Sequence, residues 1–98
     1  MDTALVRSPD ELVEALGDRL RALRLSTGLT QATLADKAGI SPRALRDLEA
    51  GRGSTLHTLV RALKALDADQ AIDTLVPQPG ISPMALLDKP KGRQRGYR

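Results

Sequence analysis

Hydrophobic positions recur at spacings of three and four in successive stretches of the chain, and each stretch opens on a helix-start signal. In the first, Leu12, Val13, Leu16, Leu20 and Leu23 fall on one stripe, the spacing of an amphipathic helix facing a core. Ser8, Pro9 and Glu11 precede it as N-cap, first helical residue and capping-box partner. Helix 1 is therefore predicted from there to about Ser26, with Gly28 as the left-handed residue past its end. Thr30 caps a short helix 2, Gln31 to Ala38, which presents Leu34, Ala35 and Ala38 and is stopped by Gly39. Ser41 and Pro42 repeat the cap-and-proline start, and helix 3 runs through Leu45 and Leu48 to Ala50 before Gly51-Arg52-Gly53 breaks it. Helix 4, capped by Ser54 or Thr55, carries Leu56, Leu59, Val60, Leu63 and Leu66; Asp67 with Gln70 opens helix 5, which carries Ile72, Leu75 and Val76. Pro77 to Gly80 ends the globular pattern. A short turn of helix is expected from Ser82 to about Asp88, and Lys89 to Arg98, lacking apolar periodicity, is expected to be disordered when unbound.

These elements describe an all-α, five-helix bundle over residues 8–76, followed by an extension, residues 77–98, with a short C-terminal helix and a basic tail. Composition sharpens the picture by what it lacks. Apolar residues make up 41% of the chain, but Tyr97 is its only aromatic, so the core must be aliphatic, and the shortage of strand-favouring aromatics agrees with helices. There is no cysteine, hence no disulfide and no thiolate metal site. The single histidine, His57, has no second ligand or acid at ligand spacing and reads as a surface or partly packed side chain. No nucleophile, base and orienter set is visible; neither an enzyme, a metal nor a cofactor is expected. Charges interrupt every apolar stretch, and Met1–Arg7 lacks the cationic start and long apolar run of a signal peptide. The expected protein is soluble, cytoplasmic and nucleoid-associated, with no membrane contact.

The net charge of +3 is unevenly spread: Lys89, Lys91, Arg93, Arg95 and Arg98 put +5 on the last ten residues, leaving ten bases against twelve acids elsewhere. Any nucleic-acid contact by the folded part must then come from a local cluster of arginines.

Helices 2 and 3 are joined only by Gly39-Ile40, so they must cross steeply and closely. Ala35 in helix 2, Gly39 in the turn, Ile40 beneath it and the anchors Leu45 and Leu48 have the spacing of a helix-turn-helix unit. Taking Leu45 as inward at about 100° per residue, Arg43, Arg46, Asp47 and Ala50 point outward. Recognition helices enter the major groove by their N-terminal residues, which makes Arg43 the best-placed base contact, most favourably to guanine. Arg46 belongs to the same groove face but is placed to reach phosphate rather than a base; Asp47 either accepts from a cytosine amino group or holds Arg43 or Arg46. Glu49 lies within one step of the core and needs a partner, and Arg24, on the helix 1 stripe beside Leu20, supplies one. Thr30-Gln31 and Ser54-Thr55 lie at helix N-termini that can hold phosphate through free backbone N–H groups, as does Ser41. Arg52 adds charge beside Ser54; capping is the role these hydroxyls would have in any protein.

Leu16-Gly-Asp-Arg-Leu-Arg-Ala-Leu-Arg24, Gly28-Leu-Thr-Gln-Ala-Thr-Leu-Ala35 and Leu48-Glu-Ala-Gly51 together resemble the Xre/Cro helix-turn-helix family of phage-repressor type, over about Leu12 to Val76. The resemblance implies a salt bridge between Arg24 and Glu49, a phosphate grip by Gln31 and major-groove reading by the Arg43–Asp47 face. Pro42 departs from the pattern, standing where members often carry a polar reading residue, which moves readout to Arg43. Pro79 to Asp88 and the tail after it are similar to the ends of HipB-like antitoxins. That second resemblance implies autorepression at an operator and a HipA-type kinase toxin as partner. Alternatives are a free-standing Xre regulator without a toxin and a protein-interaction adaptor that keeps the fold without DNA readout. A single short reading helix and the late apolar residues Ile72, Leu75, Val76, Leu86 and Leu87 point to a homodimer on a palindromic operator. The tail either solubilises, adds phosphate contacts or docks on a partner through Tyr97 flanked by Arg95 and Arg98.

Overall fold

Each of the first four helices begins at a hydroxyl that accepts from a backbone N–H three residues on. Ser8 Oγ accepts from the Glu11 N–H at 3.1 Å while Glu11 Oε1 accepts from the Ser8 N–H at 2.8 Å, closing the capping box. Thr30, Ser41 and Thr55 accept likewise from Thr33, Ala44 and Thr58, and such caps contribute about 1 kcal/mol each. In the computed structural model, which describes residues 7–80, these starts lead into α1 (Pro9–Ser26), α2 (Gln31–Ala38), α3 (Pro42–Glu49) and α4 (Leu56–Ala65), followed by the short α5 (Ala71–Leu75). The described residues contain five helices and no strand. The short helix expected at Ser82–Asp88, Leu86, Leu87 and the basic tail with Arg95, Tyr97 and Arg98 lie outside them.

Helix ends give one agreement with expectation, at Gly39, and one departure, at Asp67. At the end of α2, Gly39 takes φ 71° while the Gly39 and Ile40 N–H groups donate back to Asp36 and Ala35 carbonyls at 3.2 and 3.0 Å, a left-handed stop that leads into α3 after three residues. The end of α4 has the same pattern without a glycine. Asp67 holds φ 57°, and the Asp67 and Ala68 N–H groups donate to Lys64 and Leu63 carbonyls. Asp67 therefore closes α4, contrary to the expectation that with Gln70 it opens α5; α5 starts at Ala71 with no side-chain cap.

The core forms where α2, α3 and α4 meet. Leu34 and Leu45 are fully buried there, each burial favouring the fold by about 1.5–3 kcal/mol. The turn and α3 anchors lie as the spacing indicates, with Leu48 buried and Ile40 packed against the cluster. The faces of α1 and α4 differ from the leucine stripes. In α1 the buried line is Gly17, Leu20 and Arg24, while Leu12, Val13 and Leu23 are 46%, 40% and 37% exposed. In α4 the buried residues are Ala62, Leu63 and Ala65, and Leu56 is 70% exposed. The reason is close approach: α1 meets α3 through a glycine and α2 meets α4 through alanines on both helices, so small residues occupy the contact lines and some leucines are displaced to the rim. A Cβ on Gly17 would stand 2.6 Å from the Leu48 carbonyl oxygen and 2.7 Å from that of Glu49. No helix among the described residues is long and apolar enough to cross a membrane.

Candidate nucleic-acid interface

With Leu45 and Leu48 driven into the core, the opposite side of α3 is left in solvent, and Arg43 and Arg46 stand exposed on it. Neither makes an ion pair among the described residues. Asp47, half-buried, does not hold Arg43 or Arg46. Its Oδ1 lies 3.3 Å from Arg52 Nη1, because the chain reverses at Gly51 and the Arg52 N–H donates to the Asp47 carbonyl at 2.9 Å. Gly51 has φ 73° and its absent Cβ would lie 2.8 Å from Glu14 Cα, so both backbone conformation and space require glycine at this turn.

The C-terminal end of α3 is locked. Arg24 Nε donates to Glu49 Oε2 at 2.7 Å and Nη2 to Oε1 at 2.9 Å, a two-pronged contact with both side chains buried. The third guanidinium nitrogen, Nη1, donates to the Leu29 carbonyl at 2.8 Å. Gln31 Nε2 adds a second donor to Glu49 Oε1 at 2.9 Å. One carboxylate thus ties together the end of α1, the loop after it, the start of α2 and the end of α3. Burial pushes the Glu49 carboxyl up, but the hydrogen bonds from Arg24 and Gln31 and the charges of Arg24 and Arg21 outweigh it and hold the group below the usual carboxylate range. The bond to Glu49 raises the Arg24 guanidinium further above its ordinary value against the cost of burial, so the pair is doubly charged at neutral pH.

Thr30, Ser41 and Thr55 are the N-caps of α2, α3 and α4, whereas Ser54 donates to the Thr55 carbonyl. All four are exposed, as is Arg52, and Gln31 is half-buried. His57 is exposed on α4, and no cluster of metal-ligating side chains occurs among the described residues.

A three-residue turn, a buried α2–α3 contact and a solvent-facing second helix are the parts of a helix-turn-helix, and the family model of that description, helix-turn-helix domain, matches residues 15–75. The chain belongs to the helix-turn-helix domain family. No curated protein matches it closely enough to serve as a relative. Within this helix-turn-helix, sequence reasoning missed two features. Gly17 lacked a signal because a glycine inside an amphipathic helix registers as a weak helix former. Arg21 stands three residues before Arg24, a spacing that places both on one side of α1; with Gln31, Arg46, Glu49, Ala50 and Arg52 it lines a cleft of about 280 Å³.

Proposed function

We propose that the protein is a sequence-specific DNA-binding transcriptional regulator that docks α3 in the major groove as a homodimer and represses from a palindromic operator. The observation that carries this reading is the exposed Arg43 in the first turn of a recognition helix whose far end is pinned by the Arg24–Glu49 pair. A guanidinium so placed can present two donors to guanine, with Arg46 and Asp47 beside it, while Gln31, Arg52 and the capped starts at Thr30, Ser41 and Ser54-Thr55 face the backbone. Leu75 and Val76, 51% and 71% exposed around α5, supply apolar surface for a second copy. The full chain, used to select binding sites from a random duplex pool, is expected to enrich a palindrome with half-sites about one helical turn apart; enrichment of no sequence would exclude readout.

A second reading is more specific: the regulator is the antitoxin of a HipA-type kinase. Its support is the resemblance of residues 79–98 to HipB-like ends, with Tyr97, Arg95 and Arg98 as docking residues. Deleting residues 89–98 is expected to abolish kinase binding and leave the salt dependence of operator binding intact. A steep fall in that dependence would instead make the tail a phosphate contact.

A further inference from the structure

The cleft lined by Arg21, Arg46 and Arg52 has a composition that neither the fold nor the reading of bases requires. Its cations come from three separate elements, α1, α3 and the loop after α3, and converge on about 280 Å³ of concave surface. Arg21 and Arg46 make no ion pair among the described residues, and Arg52 has only the exposed 3.3 Å contact with Asp47. The one carboxylate on the floor, Glu49, is already matched by buried Arg24. Gln31, on the rim, spends one amide hydrogen on Glu49 and keeps another. Four arginines against two carboxylates, Asp47 and Glu49, leave the region at +2. Like charges in excess of their carboxylates repel each other, so this arrangement favours an anion that joins it.

We infer that Arg21, Arg46 and Arg52 form a clamp for a single backbone phosphate of bound DNA, with Gln31 as an accessory donor. The inference deepens the DNA-binding reading and rests on it. Guanidinium forks suit the two non-bridging oxygens of a phosphodiester. The cleft's position decides between backbone and base. Arg46 and Glu49 belong to the last half of α3 and Ala50 is its C-cap, away from the N-terminal turn that carries Arg43, so the cleft puts Arg46 on the backbone and not on a base. Arg52 exchanges its exposed bond to Asp47 for one to phosphate, and Asp47 becomes the carboxylate that keeps Arg52 turned toward the cleft before DNA arrives.

The test measures binding of the full chain to a short random-sequence duplex across a series of salt concentrations. Arg21→Gln is expected to weaken binding about tenfold, the scale of a lost charge-assisted hydrogen bond, with thermal melting unchanged. Arg19→Gln, on the same helix but outside the cleft, should bind as the unaltered protein does. In the triple variant Arg21→Gln, Arg46→Gln, Arg52→Gln, the slope of log affinity against log salt should fall by about 0.9, the value for one phosphate. A fall near three times that would mean three separate phosphates and overturn the clamp, as would no fall or equal losses for Arg19→Gln and Arg21→Gln. If the unaltered chain binds no duplex at all, the DNA-binding reading fails with it; if it binds and Arg21→Gln binds equally well, only the clamp fails.

Discussion

The two ends of α3 are built on opposite plans. At its N-terminus, Ser41 and Pro42 define the first turn locally, and Arg43 projects into solvent with no protein partner among the described residues. At its C-terminus, Glu49 is buried under two donors of Arg24 and one of Gln31, and the carbonyls of Leu48 and Glu49 press against Gly17. The contrast shows how an eight-residue helix can be oriented from one end: contacts to α1 and α2 fix its C-terminal end, and the turn that carries Arg43 inherits that orientation. Burying an ion pair is seldom a route to net stability, since desolvation offsets most of the attraction. What the pair supplies here is direction, because the planar fork and the carboxylate fix the approach of α1, α2 and α3 together.

Breaking the locked end should have the largest effect. Glu49→Ala leaves Arg24 charged and buried without its partner, and is expected to lower folding stability by about 3 kcal/mol, read as a fall in chemical-denaturation midpoint. An unchanged midpoint would mean that the carboxylate is dispensable. Gly17→Ala comes next. A Cβ there would stand 2.6 Å from a backbone oxygen that cannot rotate away, so α1 and α3 must separate at a cost of about 1–3 kcal/mol, offset by up to about 1 kcal/mol of helix propensity.

Acid should act on the same end more gradually. The folded Glu49 carboxyl lies below its ordinary value, so the folded state holds fewer protons there than the unfolded chain. Its contribution is fully present above the unfolded value of about 4.3 and fades as pH falls through the lower folded value. Melting followed from pH 7 downward should show less acid sensitivity in Glu49→Gln than in the unaltered protein; parallel curves would contradict the shift. Asp47→Ala should change melting by less than about 1 kcal/mol, since its pair with Arg52 is exposed.

The difference between the two ends also shows what the sequence made legible. Starts at Ser8, Thr30 and Ser41 are local chemistry, a hydroxyl and the N–H groups just after it, and they sit where the residues say. The helical class followed from spacing, and an acid beside an apolar face pointed from Glu49 to Arg24 because Arg24 lies on the helix 1 stripe beside Leu20. Contact lines between helices were harder to see. Leu56 and Leu12 advertise burial by type, yet Gly17 and Ala62 occupy the contacts, since how closely two helices approach depends on both partners and neither helix alone records it. Asp67 misled for a related reason: an acid suggests a helix start, but a left-handed Asp can end one. The choice of Arg52 as partner for Asp47 depended on the turn at Gly51, which spacing along a helix does not describe.

The division of labour along α3 is tested most directly by Arg43→Ala, measured three ways on one preparation: thermal melting, affinity for the selected operator and affinity for random duplex. Loss of this exposed side chain should leave melting unchanged, cost about 1–3 kcal/mol on the operator with relaxed preference at one base pair, and leave random duplex nearly unaffected. Equal losses on both duplexes would make Arg43 a backbone contact, and a lowered melting temperature would show that the free end of α3 also holds the fold; either result contradicts the separation of reading from locking.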